Sequence, residues 1–132
     1  MKDPDGANLD RVQVIKGWLD SDRKLTEKIY NVAWSGDRVV KPDGSLDSVG
    51  STVDVPSAAY WNTIGDAEFA VAWQDPDFDP SERAFYYVRV LQIPTARWTA
   101  YDAKYFGVED IQKEVPLLIQ DRAYTSRIWY SP

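Results

Sequence analysis

The stretch Ala84–Trp98, which reads AFYYVRVLQIPTARW, carries the strongest strand signal of the chain. Aromatic and β-branched residues favour extended backbone, and Pro94 ends the run because proline cannot donate to a sheet ladder. Side chains alternate between the two faces of a strand. One face holds Ala84, Tyr86, Val88 and Val90, and the other holds Phe85, Tyr87, Arg89 and Leu91. Because both faces carry large apolar groups, we predict a central strand over residues 84–93 rather than the wall of a ligand site.

The segments before this stretch predict more strands. Residues 11–19 (RVQVIKGWL) and 25–34 (LTEKIYNVAW) flank a turn at residues 20–24 and predict a hairpin. Shorter extended segments are predicted at 52–55, 58–64 and 67–73. Between residues 35 and 50, turn-forming Gly, Pro and Asp predict a surface loop.

The segments after this stretch complete the predicted fold. We expect one short helix near 99–106, with Thr99 as its cap and Gly107 as its stop, and one or two strands within 117–130. Short strands separated by Gly and Pro loops are typical of antiparallel sandwiches and barrels. The prediction is an all-β fold, an antiparallel β-sandwich of immunoglobulin-like architecture, in a single domain over residues 1–132.

Composition excludes several classes of function. A chain of 132 residues fits one domain, and its net charge of −6 argues against nucleic-acid partners, which need clustered Lys and Arg. The absence of Cys and His removes thiolate chemistry and the commonest proton-transfer and metal-binding side chain. No apolar run reaches about 18 residues, so we expect no membrane partner. The compartment cannot be read from the residues.

Three alternating carboxylates are the only residues with a metal-like spacing. Asp75, Asp77 and Asp79 form the pattern D-P-D-F-D-P, whose oxygens suit calcium. The sixth and twelfth positions of such a calcium loop hold Pro80 and Tyr86 instead of Gly and Glu. We therefore favour a turn whose side chains bond to nearby backbone amides, and keep the three aspartates as weak metal candidates.

No other polar residues form a catalytic pattern. Glu82 with Glu109 or Glu114 has no spacing that supports an acid and base pair, and the serines have neither a His nor a nucleophile-elbow setting; these serines are Ser51, Ser57 and Ser126. We predict no catalytic residue and no cofactor.

The many aromatic residues allow a second kind of site. Six Trp and eight Tyr in this length could include a platform on which sugar rings stack, although most of them are expected to pack in the core. The candidates for ligand stacking are Trp61, Trp98 and Tyr101.

Long strings of the sequence resemble a known family. These strings are KDPDGANLDRVQVIKGW (2–18), DPDFDPSERAFYYVRVLQIPTARWTAYDAKYFG (75–107) and IQDRAYTSRIWYSP (119–132). They resemble the C-terminal part of the DUF3604 family, a bacterial group of uncharacterised proteins. Relatives tend to read Ser-Pro-Ile-Trp near the end, where this chain has Ser126-Arg-Ile-Trp129, and Arg127 restores a backbone donor.

The resemblance implies a function only indirectly. Members of the family are several times longer than this chain, and their N-terminal region looks like a metal-dependent hydrolase of the polymerase and histidinol phosphatase type. The chain would then be the C-terminal fragment of a longer protein and a non-catalytic accessory domain that packs on that hydrolase-like region. The alternatives are a carbohydrate- or ligand-binding module that uses exposed Trp and Tyr, and an enzyme that uses paired carboxylates alone.

The resemblance also implies an unpaired strand. Family members carry strand-like sequence before the Lys-Asp-Pro-Asp-Gly turn, so Met1 would be an internal residue and the sheet would lack a strand. An unpaired edge favours pairing with another copy. We therefore expect self-association through an exposed sheet edge, with residues 11–18 near the contact.

Overall fold

The computed structural model describes residues 1–20, 22–109, 111 and 114–132; Ser21, inside the predicted turn at 20–24, lies outside the described residues. The elements within the described residues are β1 (Leu9–Leu19), β2 (Leu25–Trp34), β3 (Ala84–Gln92), β4 (Thr95–Ala96), α1 (Trp98–Phe106), β5 (Leu118–Ile119), β6 (Arg122–Tyr124) and β7 (Ile128–Tyr130). None of the helical structure in this described part is long and apolar enough to cross a membrane.

A five-stranded antiparallel sheet, in the order β2-β1-β3-β6, forms the body of the fold. β7 pairs with β3 as well, at the end opposite β6: Ala84–Tyr86 of β3 face β7, whereas Arg89–Leu91 face β6. The predicted central strand is therefore confirmed, because β3 has neighbours on both sides. The predicted hairpin is confirmed too, since β1 and β2 pair antiparallel across the turn.

The strand register assigns each side chain to a face of this sheet. Lys16 of β1 lies opposite Tyr86 of β3, and Val14 lies opposite Tyr30 of β2. The chain segment 67–80 crosses over these residues, so we call their side the covered face. Gly17 lies opposite Phe85 and belongs to the other side, which we call the opposite face.

A smaller unit follows β3 along the chain. β4 and β5 form a two-stranded antiparallel sheet, and α1 lies between them in sequence. Ala58, Ala96 and Ala100 form a small apolar cluster there, with Val53 and Leu117 packed against it. Because these buried residues are small, the backbones approach closely and α1 turns its large side chains outward.

The predicted helix is confirmed, but its predicted cap is wrong. Arg97 occupies the N-cap position without a side-chain bond, and the Thr99 hydroxyl instead donates to the Pro116 carbonyl at 2.6 Å. Gly107 ends the helix as predicted. Its φ of 64° is left-handed, and its N–H donates to the Ala103 carbonyl.

Three predicted extended segments are not strands. Residues 52–55 and 58–64 contribute a single bridge between Asp54 and Ala59 and otherwise run through turns. Residues 67–73 are irregular because both edges of the neighbouring β1 are already paired, which leaves no ladder for them to join. The all-β fold with one short helix is confirmed; an immunoglobulin-like sandwich is not, since the layer over the covered face is irregular chain at 67–80.

Candidate functional site

A buried ion pair fastens the segment 67–80 to the covered face. Lys16 is 2% exposed, and its Nζ lies 2.8 Å from Asp75 Oδ2 and donates to the Asp77 carbonyl at 2.6 Å. The Tyr86 hydroxyl donates to the same Asp75 oxygen at 2.7 Å. Since charges are costly to bury alone, this geometry compensates both ions at once.

The electrostatics of this cluster are those of a fixed contact. Burial by itself raises the pKa of Asp75, but the hydrogen bonds from Lys16 and Tyr86 outweigh it and hold that pKa below its usual range. Burial and the adjacent carboxylate raise the pKa of the Tyr86 hydroxyl, so it stays protonated and donates. These two shifts keep the Asp75 carboxyl ionised and the Tyr86 hydroxyl protonated at neutral pH.

Asp77 and Asp79 do not join Asp75 in a shared site. Asp77 accepts from the Tyr30 hydroxyl at 2.7 Å and pairs with the Lys28 ammonium at the surface. Asp79 accepts from the backbone N–H and the hydroxyl of Ser81. The predicted local turn is confirmed, because Asp75 Oδ1 also accepts from the Asp77 N–H at 2.9 Å. Among the residues that the structure describes, no three Asp, Glu, Cys or His side chains gather as metal ligands.

A second buried carboxylate organises the start of β1. Asp10 is the extra residue of a bulge against β3 and is 1% exposed. Its Oδ2 accepts from Arg11 Nε at 2.9 Å and Gln120 Nε2 at 2.8 Å. Arg38 Nη2 lies 2.7 Å from Asp10 Oδ1, but it donates its hydrogens to the Asp10 carbonyl and the Ser35 hydroxyl. Oδ1 is therefore paired with a positive charge but accepts no hydrogen bond from the described residues. Asp10 ties the loop 35–50 and residue 120 to the sheet.

Four rings cross the opposite face of the sheet, and we call them the aromatic row: Tyr124, Tyr87, Phe85 and Trp129. The ring centroids are 6.3 Å apart from Tyr124 to Tyr87, 6.5 Å from Tyr87 to Phe85 and 5.3 Å from Phe85 to Trp129. The register explains the row. Phe85 and Tyr87 are two residues apart on β3, and Trp129 of β7 pairs directly with Phe85.

Gly17 makes room for the centre of the row. A Cβ on Gly17 would lie 2.3 Å from the outermost ring carbon of Phe85, so that ring extends over β1 where a side chain would otherwise stand. Glu27 of β2 pairs with Gly17 and therefore lies beyond the ring on the same face. Arg127 lies over the Phe85 ring, with its guanidinium carbon 5.9 Å from the centroid.

A groove of about 430 Å³ runs along this surface. Its lining combines three rings of the row with hydrogen-bonding side chains: Phe85, Tyr87, Tyr124, Glu27, Ser126 and Arg127. The loop that carries Arg127 is held against β3, because the Thr125 N–H donates to the Val88 carbonyl and the Thr125 hydroxyl accepts from the Val88 N–H. Polar groups are thus fixed beside exposed ring surface.

The predicted stacking residues lie elsewhere. Trp98 and Tyr101 stand on α1, and Trp61 lies in the turn-rich segment 51–66; they are 63%, 49% and 54% exposed. Among the described residues, none of the three stacks on another aromatic ring. Sequence reasoning did not select the aromatic row as a site, because only the pairing of β3 with β6 and β7 places its members side by side. Phe85 and Tyr87 at alternating positions were the available signal.

α1 presents an apolar surface of a different kind. Tyr105 is 84% exposed and Phe106 72%, and their rings meet edge to face at 5.0 Å. Together with Trp98, Tyr101 and the half-exposed Val108, they make what we call the α1 face. A shallow groove of about 280 Å³ beside it is lined mostly by apolar side chains, including Trp98, Phe106 and Val108.

Comparison with known protein families identifies a match. The family model described as a protein of unknown function, DUF3604, matches residues 1–132, which is the whole chain. Neither a curated protein nor a solved structure matches it.

Proposed function

This chain belongs to the DUF3604 family, and from that premise we propose that it is a non-catalytic accessory domain that docks on the rest of a longer protein through the α1 face. The single observation that carries the proposal is the exposure of four aromatic side chains on one helix of nine residues. Of that helix, only Ala100 is buried. Large contiguous apolar surface is a mark of an interaction site.

The chemistry of the α1 face suits a permanent intramolecular neighbour. Its groove is lined mostly by apolar groups, with Asp102 as its charged member among the described residues. Interfaces of this composition resemble a domain core cut in half and are typical of partners that stay together. The partner we propose is the hydrolase-like region that the family resemblance implies, with this chain as the C-terminal domain. In such an assembly, strands of the partner region would complete an immunoglobulin-like sandwich on the covered face, beside the segment 67–80.

The accessory role agrees with the chemistry of the chain. Three carboxylates of the structure are engaged in fixed contacts: Asp75 and Asp77 with lysines and tyrosines, and Asp10 with arginines and Gln120. We therefore place no catalytic residue in this chain and assign any hydrolysis to the partner region.

The test is binding between the chain and the hydrolase-like region of the same parent protein, produced separately and measured by calorimetry. We expect a complex with a negative heat-capacity change, since apolar surface is buried. The double variant Tyr105→Ser/Phe106→Ser should abolish it, and both positions are exposed enough for the fold to persist. The matched control is Tyr124→Ser/Trp129→Ser, on the aromatic row. Binding that survives the first pair of changes, or fails only with the second, overturns the α1 assignment.

A further inference from the structure

We propose that the aromatic row is a binding site for an uncharged, β-linked chain of pyranose sugars. The row and the α1 face are separate sets of residues on different elements, so this inference stands apart from the docking role. Three observations lead to it: the exposure of the rings, the composition of the groove, and its charge.

The rings offer neighbouring apolar surfaces, with the Tyr124 ring tilted by 42° from that of Tyr87 and the Trp129 ring by 51° from that of Phe85. Trp129 is 72% exposed and Tyr124 57%, and they bracket the half-buried Phe85 and Tyr87. The rings of Phe85 and Tyr87 are nearly parallel, at 11°. Pyranose rings present C–H faces that pack on aromatic rings, and a chain of several sugar rings needs several neighbouring aromatic rings rather than a single pocket.

Unused hydrogen-bonding groups border the same surface. Within the described residues, no hydrogen bond or ion pair occupies the Glu27 carboxylate, the Ser126 hydroxyl or the Arg127 guanidinium. Sugar hydroxyls both donate and accept, so a carboxylate, which only accepts, and a guanidinium, which only donates, can serve the same ligand. The apolar groove beside α1 has no such combination, which separates a sugar site from an apolar docking site.

Charge decides against the other ligands that stack on aromatic rings. Glu27 and Arg127 balance each other within the groove, and the whole chain carries a net charge of −6. Single-stranded nucleic acids require a positively charged groove beside the stacking rings. The complementary ligand is therefore neutral and rich in hydroxyl groups.

The ring of Phe85 and the loop that carries Arg127 are held in position without a ligand. Gly17 fixes the space into which the Phe85 ring extends, and Thr125 fixes the loop that carries Arg127. A preformed site loses less conformational entropy on binding. An open groove on the face of a sheet suits extended, ribbon-like β-linked chains better than coiled α-linked chains.

The test uses the 132-residue chain and three β-1,4-linked probes, cellohexaose, xylohexaose and mannohexaose, in calorimetry with Trp fluorescence as a second readout. We expect at least one to bind and to shift the fluorescence, and maltohexaose, which is α-linked, not to bind. Trp129→Ala and Tyr124→Ala should each weaken binding about three- to tenfold, from the loss of one stacking contact. The matched control is Trp98→Ala, which removes a Trp of α1 that is 63% exposed, and it should leave binding unchanged.

Several results overturn the proposal. It fails if none of the three β-linked probes binds, if maltohexaose binds as well as they do, or if Trp98→Ala weakens binding as much as Trp129→Ala. It also fails if the row binds an oligothymidylate or a proline-rich peptide and no sugar. Each variant is first checked for an unchanged unfolding midpoint in urea, and Trp129→Phe, which keeps a ring, should retain most of the binding.

Discussion

Lys16 fastens the irregular layer of the fold to its sheet through one ammonium group. Replacing Lys16 with Met keeps a long unbranched side chain at this position. It leaves the Asp75 carboxylate, whose side chain is 6% exposed, without its cation. Removing one partner of a buried ion pair is costly, so we expect Lys16→Met to lower the free energy of unfolding by about 3 kcal/mol. Urea denaturation followed by fluorescence measures it.

The surface pair in the same cluster supplies the control. Lys28 and Asp77 are about half exposed, so Lys28→Met should cost less than about 1 kcal/mol. Equal losses in the two variants would show that the segment 67–80 is not fastened by the buried pair.

Only one side of the contact between Lys16 and Asp75 could be predicted from the sequence. The pattern D-P-D-F-D-P predicted the local turn, and Asp75 does accept from the Asp77 amide. It could not predict that Lys16 supplies the cation, because that partner comes from a strand far away along the chain. A lysine between Val14 and Trp18, on an otherwise apolar strand face, is the sequence feature that indicates a buried ion pair.

On the opposite face, the Phe85 ring of β3 occupies the space that a side chain at position 17 of β1 would fill. A methyl group at position 17 would meet the Phe85 ring at 2.3 Å, so Gly17→Ala has to displace that ring. We expect a loss of about 1–3 kcal/mol in unfolding free energy, as for other overpacked sites. The double variant Gly17→Ala/Phe85→Leu should recover part of the sum of the single losses, because the smaller side chain leaves the space free. Strictly additive losses in urea denaturation would contradict the packing described here.

At the scale of elements, the sequence predicted β1, β2 and β3 well, but not β4, and it predicted one or two strands within 117–130 where the structure has three. The predictions of β1, β2 and β3 are correct because these alternating segments pair with neighbouring strands in the sheet. Residues 67–73 alternate as clearly, yet they form no strand. Burial does not follow this alternation: the Trp73 ring lies 5.0 Å from that of Tyr30 on the covered face, whereas Val71, two residues earlier, is half exposed. Alternation predicts a strand only where the segment runs beside an unpaired strand, and residues 67–73 run over the covered face of the sheet instead.

The long unpaired edge of the five-stranded sheet does not lie at the residues that the sequence analysis expected. Residues 11–18 were expected near a contact between copies, but β1 is paired along its length with β2 on one side and β3 on the other. The outer side of β2 is the longest sheet edge that the described residues leave open, at least from Leu25 to Tyr30, because β6 and β7, which also have one partner each, are three residues long. Farther along, the side-chain amide of Asn31 donates to the Gly44 carbonyl, so the loop 35–50 contacts this part of the strand.

Self-association through a sheet edge therefore remains a prediction, and it now belongs to β2. Leu25 and Ile29 are 66% and 39% exposed on this strand, and edge pairing would continue the five-stranded sheet into a second copy. We expect sedimentation equilibrium to show a dimer that forms with rising concentration. Lysines on an edge strand oppose such pairing, so Leu25→Lys/Ile29→Lys should give a monomer.

The control for the edge is Val39→Lys, which adds a lysine at an apolar residue of the loop 35–50 that is 75% exposed. It should leave the dimer intact, because position 39 is not on the β2 edge. If the unmodified chain stays monomeric at the highest concentration, Glu27 and Lys28 already act as the charged residues that protect natural edges, and the open side of β2 does not mediate assembly. If Val39→Lys dissociates the dimer as fully as the paired lysines do, the contact lies on the loop.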